Sequence, residues 1–176
     1  LIVISGTPGT GKTAFATSLL YYGILKCNEP GVYASLIEDE ERFYTYMKTF
    51  GYDFEKLKNE NKFSYLALPT MLEPGIATGI GVVINTIKSL GARRLVIDSY
   101  TAMSQMFKDE SEARTFLHTI VSKMVRQVGC TTILIKEEKT PGEKTEYDYV
   151  DFIADGVISL EMHMLEDKRI RILTII

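Results

Sequence analysis

The sequence predicts an α/β fold: a single domain over residues 1–176, with a mostly parallel sheet, helices on both faces in three layers, and a C-terminal β-hairpin. Three observations predict it. Short apolar runs alternate with segments of helical period. Those runs are apolar throughout rather than on one side, as expected of strands buried on both faces. The first of them, Leu1-Ile-Val-Ile4, leads through S-G-T-P-G-T-G-K-T (Ser5–Thr13) straight into a helix-forming segment.

In chain order, a helix is expected from about Lys12 to Leu25, ended by the turn Asn28-Glu-Pro-Gly31. Val32–Ile37 reads as the second strand. Glu38-Asp-Glu-Glu41 then opens a helix on which Phe43, Met47 and Phe50 share a face, and Gly51 stops it. Phe63–Leu68 is the third strand, followed by a loop bracketed by Pro69 and Pro74. Ile76, Ile80, Val83, Ile84, Ile87 and Leu90 form a stripe of 3.6-residue period closed by Gly91. Arg93–Asp98 is a strand ending in a carboxylate, with a loop after it. The next helix runs from about Asp109 to Val128, buries Ala113, Phe116, Ile120 and Met124, and starts with acidic residues that suit its dipole. Thr131–Ile135 is a further strand, and polar, aperiodic Lys136–Asp151 reads as a mobile loop. Gly156–Glu161 and Ile170–Ile176 make the hairpin, joined around Glu166-Asp-Lys168.

Gly6, Gly11, Lys12 and Thr13 satisfy G-x-x-x-x-G-K-[ST], the phosphate-loop pattern, in its expected strand–loop–helix context. The chemistry needs these residue types. Glycines at 6, 9 and 11 let the backbone fold back so that successive N–H groups face phosphate oxygens. The helix N-terminus adds positive potential at the same point. The expected binding set is Gly6, Thr7, Pro8, Gly9, Thr10, Gly11, Lys12, Thr13 and Ala14. Lys12 is expected to reach the β- and γ-phosphates and so to act in catalysis as well, with Thr13 as a Mg²⁺ ligand. ATP and Mg²⁺ are the expected ligands.

Asp98 closes the run R-L-V-I-D-S, the pattern of a carboxylate held in the Mg²⁺ shell, and is the second expected metal residue. Glu38 is the expected water-orienting group, because it follows the second strand and lies at the same sheet edge as the loop. Its neighbours Asp39–Glu41 also serve a helix start, which stabilises without any catalysis. Glu137 and Glu138, after the strand that follows Asp98, read as a solvated charge run. The ten tyrosines single out no base-stacking residue.

Composition narrows the class. A net charge of −3 gives no general attraction to nucleic acid or anionic membrane. No apolar run approaches the length of a membrane span, and no basic segment precedes the first one as in a signal peptide. Cys27 and Cys130 lack metal-ligand spacing and are expected to be buried free thiols of a cytoplasmic protein. His118 and His163 are expected to be structural. Both ends of the chain are expected to be trimmed.

With these residues placed, the chain resembles the KaiC-like branch of the RecA-type ATPases. The resemblance rests on Ser5–Thr13, G-V-Y-A-S-L-I-E at Gly31–Glu38, F-G-Y-D at Phe50–Asp53, R-L-V-I-D-S at Arg94–Ser99, G-C-T-T-I-L-I at Gly129–Ile135 and F-I-A-D-G-V-I at Phe152–Ile158. It implies a RecA-type core and ATP held between subunits of a homo-oligomeric ring, usually a hexamer. It also implies slow, regulatory hydrolysis, in some members with autokinase activity. The resemblance implies two adjacent glutamates where this chain has Ile37 and Glu38, and a basic trans-acting motif beyond Ile176.

The leading expectation is therefore a regulatory Mg-ATPase. One rival is an ATP-dependent scaffold with little turnover, which Ile37 favours. A second is a DNA-dependent ATPase of RecA/RadA recombinase type. Against it, Lys136–Asp151 carries three lysines and six acidic residues, the reverse of a phosphate-binding loop.

Overall fold

The structure, a computed structural model, describes residues 1–68, 76–105, 107, 109–119, 127–138 and 149–176. Among these, seven strands form one sheet: β1 (Ile2–Gly6), β2 (Gly31–Ser35), β3 (Phe63–Ala67), β4 (Arg94–Asp98), β5 (Thr131–Glu137), β6 (Gly156–Leu165) and β7 (Lys168–Ile175). Their order across the sheet is β3-β2-β4-β5-β1-β6-β7. All pairings are parallel except β6–β7, an antiparallel hairpin that turns at Glu166 and Asp167. The helices are α1 (Lys12–Cys27), α2 (Glu40–Thr49), α3 (Phe54–Asn59), α4 (Ile76–Leu90), α5 (Tyr100–Ser104), α6 (Glu110–Thr119) and α7 (Tyr149–Ile153). The chain thus forms the α/β, RecA-type core with a C-terminal hairpin that its sequence predicts.

Successive strand residues face opposite sides of a sheet, and here both sides are apolar. On one side Val3, Val32, Ala34, Leu95 and Ile97 pack with Val83 and Ile87 of α4, Met103 of α5 and Leu117 of α6. On the other, Ile4, Tyr33, Tyr65, Val96 and Ile133 pack with Leu20 and Ile24 of α1, Phe43 and Met47 of α2, and Phe54 and Leu57 of α3. Phe43, fully buried, centres the second layer, with its ring 4.5 Å from Tyr33, 5.1 Å from Tyr65 and 5.2 Å from Phe54. These two layers fix the sheet rigidly, so the loops at the carboxyl ends of β1, β2, β4 and β5 leave a firm edge.

Several local expectations need correction. β2 ends at Ser35 rather than Ile37, because the Ser35 hydroxyl accepts from the amides of Ile37 and Glu38 (3.2 and 3.0 Å) and turns the chain out of the sheet. Phe50 does not share the buried face of Phe43 and Met47; it is the C-cap of α2 and 44% exposed. Helix α3 was not expected, and α5 replaces the loop expected after Asp98. Lys136–Asp151 is not a loop throughout: Lys136 and Glu137 belong to β5, and Tyr149–Asp151 to α7. Cys27 is exposed, since it ends α1 beyond the buried turn of Leu20 and Ile24, whereas Cys130 is buried. The hairpin is longer than expected, and Met164 and Leu165 near its tip and Leu173 and Ile175 on β7 are exposed. Pro69, Pro74, Ile120 and Met124 lie outside the described residues.

Candidate functional site

The phosphate loop begins where β1 ends. Gly6 has φ +151°, and a Cβ there would fall 2.2 Å from the carbonyl oxygen of Leu160 on the neighbouring strand and 2.9 Å from Thr10 Oγ1. The site therefore needs glycine for space as well as backbone freedom. Inside the loop, the Thr7 carbonyl accepts from Thr10 Oγ1 and from Lys12 Nζ, each at 2.9 Å. Thr10 and Lys12 are buried, Thr7, Gly11, Thr13 and Ala14 are half-buried, and Pro8 and Gly9 are exposed at the crest.

Helix α1 starts differently from its neighbours. The side chains of Asp39, Asp53 and Ser99 cap α2, α3 and α5 by accepting from the amides of Arg42, Lys56 and Ala102. The N-cap of α1 is Gly11 in the left-handed region (φ +98°), with no side-chain cap and no acidic residue in the first turn. Its amide donors and dipole thus present an uncompensated positive end beside the loop, the arrangement that suits an anion.

Lys12 is 7% exposed. Burial lowers its ammonium pKa, while the charges of Glu137, Asp98 and Glu138 act in the opposite sense. Burial outweighs those charges, and the ammonium's hydrogen bond is to the Thr7 carbonyl, so a phosphate group placed against it would supply the directly contacting anion that offsets its desolvation.

Asp98, at the end of β4, lies next to α1. The Thr13 hydroxyl donates to Asp98 Oδ2 at 2.7 Å, and the Tyr33 hydroxyl donates to the same oxygen at 2.7 Å. The backbone completes the junction: the Leu36 amide donates to the Asp98 carbonyl (2.8 Å), and the Glu138 amide to the Gly6 carbonyl (3.1 Å). Loop, β2, β4 and β5 are therefore stitched together at one edge. Thr13 and Asp98, the two expected metal residues, are brought into direct contact.

Glu38 comes to the same edge. Its amide is held by Ser35, its carbonyl accepts from the Tyr65 hydroxyl, and its side chain is half-buried with Oε1 3.9 Å from Arg42 Nε. Burial raises its carboxyl pKa above the ordinary value; the Arg42 cation opposes this, and the charges of Asp98 and Asp39 reinforce it. Ile37, where the family resemblance implies a first glutamate, is 65% exposed.

The residues present fit a nucleoside triphosphate with Mg²⁺. Among the described residues no group of three or more His, Cys, Asp or Glu side chains could hold a metal. A hydroxyl and one carboxylate, Thr13 and Asp98, are the sparse protein donor set that Mg²⁺ takes when phosphates and water supply the rest.

Sequence reasoning missed Tyr33, Tyr65, Ser35 and the pair Lys136–Asp151. Tyr33 is 1% exposed, and burial, then the Asp98 charge, raises its pKa well above the usual phenol value. Tyr65 stands opposite Tyr33 in the β2–β3 register, its ring 5.9 Å away, and its hydroxyl is pushed up to about 12, chiefly by burial. Both tyrosines alternate with small or aliphatic residues in strands, a signal of orientation but not of partner. Lys136 and Asp151 form a buried ion pair that ties β5 to α7 (side chains 11% and 6% exposed). Glu137, expected to be solvated, is exposed.

A glycine loop at the carboxyl edge of a parallel sheet, an uncapped helix start, a buried lysine and a Thr–Asp pair define a P-loop nucleotide-binding domain of RecA type. Within that class the whole chain, residues 1–176, matches the family model "ATPase: KaiC", and the protein belongs to that family. It is 31% identical over 182 aligned residues to the circadian clock oscillator protein KaiC of Synechococcus elongatus, covering 99% of this chain and 35% of that one. It is 27% identical to a UPF0273 protein of Methanocaldococcus jannaschii, covering 96% of this chain and 74% of the relative. The crystal structure of a KaiC-like protein from Pyrococcus horikoshii superposes with a TM-score of 0.85 at 31% identity, over 99% of this chain and 76% of that chain. The chain therefore spans about a third of the clock protein, 35%.

Proposed function

We propose that this domain binds Mg-ATP at Gly6–Ala14 and hydrolyses it slowly, as a regulatory ATPase working in a homo-oligomeric ring. The observation that carries this reading is the Thr13–Asp98 contact at 2.7 Å beside buried Lys12. Loop amides and Lys12 bind and orient the polyphosphate, and Lys12 offsets charge that builds on it as the terminal bond breaks. Thr13 and Asp98 hold Mg²⁺, which, when bound, screens the phosphate charge. Glu38 orients the attacking water and accepts its proton, a role its raised pKa suits.

Family membership supports the ATPase activity, and the exposed apolar residues of the β6–β7 hairpin support assembly. On family membership we place the protein in the cytoplasm. No helix among the described residues is long and apolar enough to cross a membrane. A second reading, an ATP-dependent scaffold with little turnover, is favoured by exposed Ile37 beside a single glutamate.

Single-turnover hydrolysis of ATP by the wild type and Glu38→Gln, both at saturating Mg²⁺, separates the two. The ATPase reading expects turnover in the wild type and a loss of about 100-fold or more in the variant. Equal rates would remove Glu38 from the chemistry, and no turnover in either would leave the scaffold.

A further inference from the structure

We propose that Tyr33 is a positioning residue for the metal carboxylate, its buried hydroxyl holding Asp98 in the orientation that completes the Mg²⁺ site with Thr13. The inference rests on the function proposed above and adds a residue to it.

Register supplies the reach. Tyr33 pairs with Val96 across the β2–β4 ladder, so Asp98, two residues further along β4, is its diagonal neighbour on the same face. An aromatic side chain spans that diagonal. The Tyr33 ring is packed by Phe43 at 4.5 Å and Tyr65 at 5.9 Å and is 1% exposed, so its hydroxyl has one well-defined place to donate. That place is a carboxylate of the site rather than a backbone carbonyl.

The pattern on Asp98 gives the contact its meaning. Among the described residues both side-chain hydrogen bonds to Asp98 fall on Oδ2, one from Thr13 and one from Tyr33. A carboxylate oxygen offers two lone pairs. Oδ2 is thereby filled by two neutral donors, which leaves Oδ1 as the oxygen for a cation or its water. With the Tyr33 hydroxyl gone, Thr13 alone restrains the carboxylate, and its rotation about the Cβ–Cγ bond is less confined. Groups that orient a metal's ligands commonly change metal affinity by about 10–100-fold when removed. A tyrosine that merely satisfied its own buried hydroxyl would show a different signature, a change in stability without selectivity for the metal.

The test titrates Mg²⁺ against binding of a fluorescent ATP analogue for the wild type, Tyr33→Phe and Tyr33→Met, with parallel binding in EDTA and thermal unfolding in EDTA. Tyr33→Met also lacks the donor and adapts its shape to the space, so it serves if Tyr33→Phe fails to fold. The expected result is an increase of about 10-fold or more in the Mg²⁺ concentration at half-saturation. Metal-free nucleotide affinity should stay within about two-fold, and Asp98→Asn should show the same selective loss. The electron spin resonance spectrum of Mn²⁺ with the nucleotide should broaden in the variants as the ion's environment loosens. An unchanged Mg²⁺ midpoint in a folded donor-less variant would overturn the positioning role and leave the nucleotide site standing. So would equal losses with and without metal. A wild type with no Mg²⁺-dependent nucleotide binding would overturn both this role and the function on which it rests.

Discussion

The Thr13 hydroxyl donates to Asp98 Oδ2 at 2.7 Å, joining residues 85 positions apart in the chain. The contact exists because α1 leaves the end of β1 while β4 ends at the same sheet edge, separated from β1 only by β5. A parallel sheet places all such ends together, so two residues with no local relationship become neighbours in the proposed metal site. Chemistry here depends on the register of the sheet, and the register depends on cores packed on both of its faces.

Gly6 is where the loop and the sheet constrain each other. In Gly6→Ala the new Cβ meets the Leu160 carbonyl oxygen, a backbone atom held by the β1–β6 ladder, and φ there is +151°. Overpacking of this kind costs about 1–3 kcal/mol. Gly9→Ala meets nothing within 4 Å, although φ is +83°, so its penalty is conformational, about 1–2 kcal/mol. Urea unfolding should rank Gly6→Ala as the less stable variant; the reverse order would mean that the β1–β6 contact yields easily.

The Lys136–Asp151 pair is buried on both sides, and removing one partner strands the other. Asp151→Ala should lose about 3–5 kcal/mol, because the buried Lys136 side chain is left without this partner. The double variant Lys136→Met, Asp151→Leu should recover most of that loss. A double-mutant cycle by chemical denaturation measures the coupling, and additive single effects would show that the pair contributes no specific interaction.

Hydrolysis should carry an acid limb set by Glu38. Its carboxyl must be ionised to accept a proton. Burial and the charges of Asp98 and Asp39 favour the neutral form, so ionisation requires a higher pH than for a free glutamate. Single-turnover rates should therefore rise with pH through a midpoint above the ordinary glutamate value. Arg42→Ala removes an opposing positive charge and should move that midpoint upward. For stability the same shift has the opposite sense: the contribution of neutral Glu38 is greatest at low pH and is lost as pH rises through the folded-state pKa. A limb that moves downward in Arg42→Ala would contradict the assignment.

The loop was legible because its glycines, lysine and threonine are contiguous and each type has a local reason to be there. The sheet was legible because continuous apolar runs mark strands buried on both sides. Short helices were harder to see. Asp53-Phe-Glu-Lys-Leu57 holds a cap and an i, i+3 apolar pair, yet the helix it opens has six residues, too few to establish a period. Phe50 fitted the face of Phe43 and Met47 by spacing alone; the helix ends one residue before it, and its ring lies half-exposed against Tyr46 and Tyr52 instead. Tyr33 and Tyr65 could not be distinguished among ten tyrosines, since their roles come from the β2–β3 and β2–β4 registers, which are not local properties of the sequence. Lys136 and Asp151 looked like members of a polar stretch because a paired charge and a solvated one are written with the same letters.

The most direct measurement is the affinity for Mg-ATP, by calorimetry, of the wild type beside Lys12→Ala. Lys12 is buried with its ammonium inside the loop, and a hydrogen bond to a charged group contributes about 1.5–3 kcal/mol, equivalent to about 10–100-fold in affinity. Saturable Mg-ATP binding by the wild type and a loss of that size in the variant are the expected results. Equal affinity in the two proteins, or none in the wild type, would contradict the proposed function.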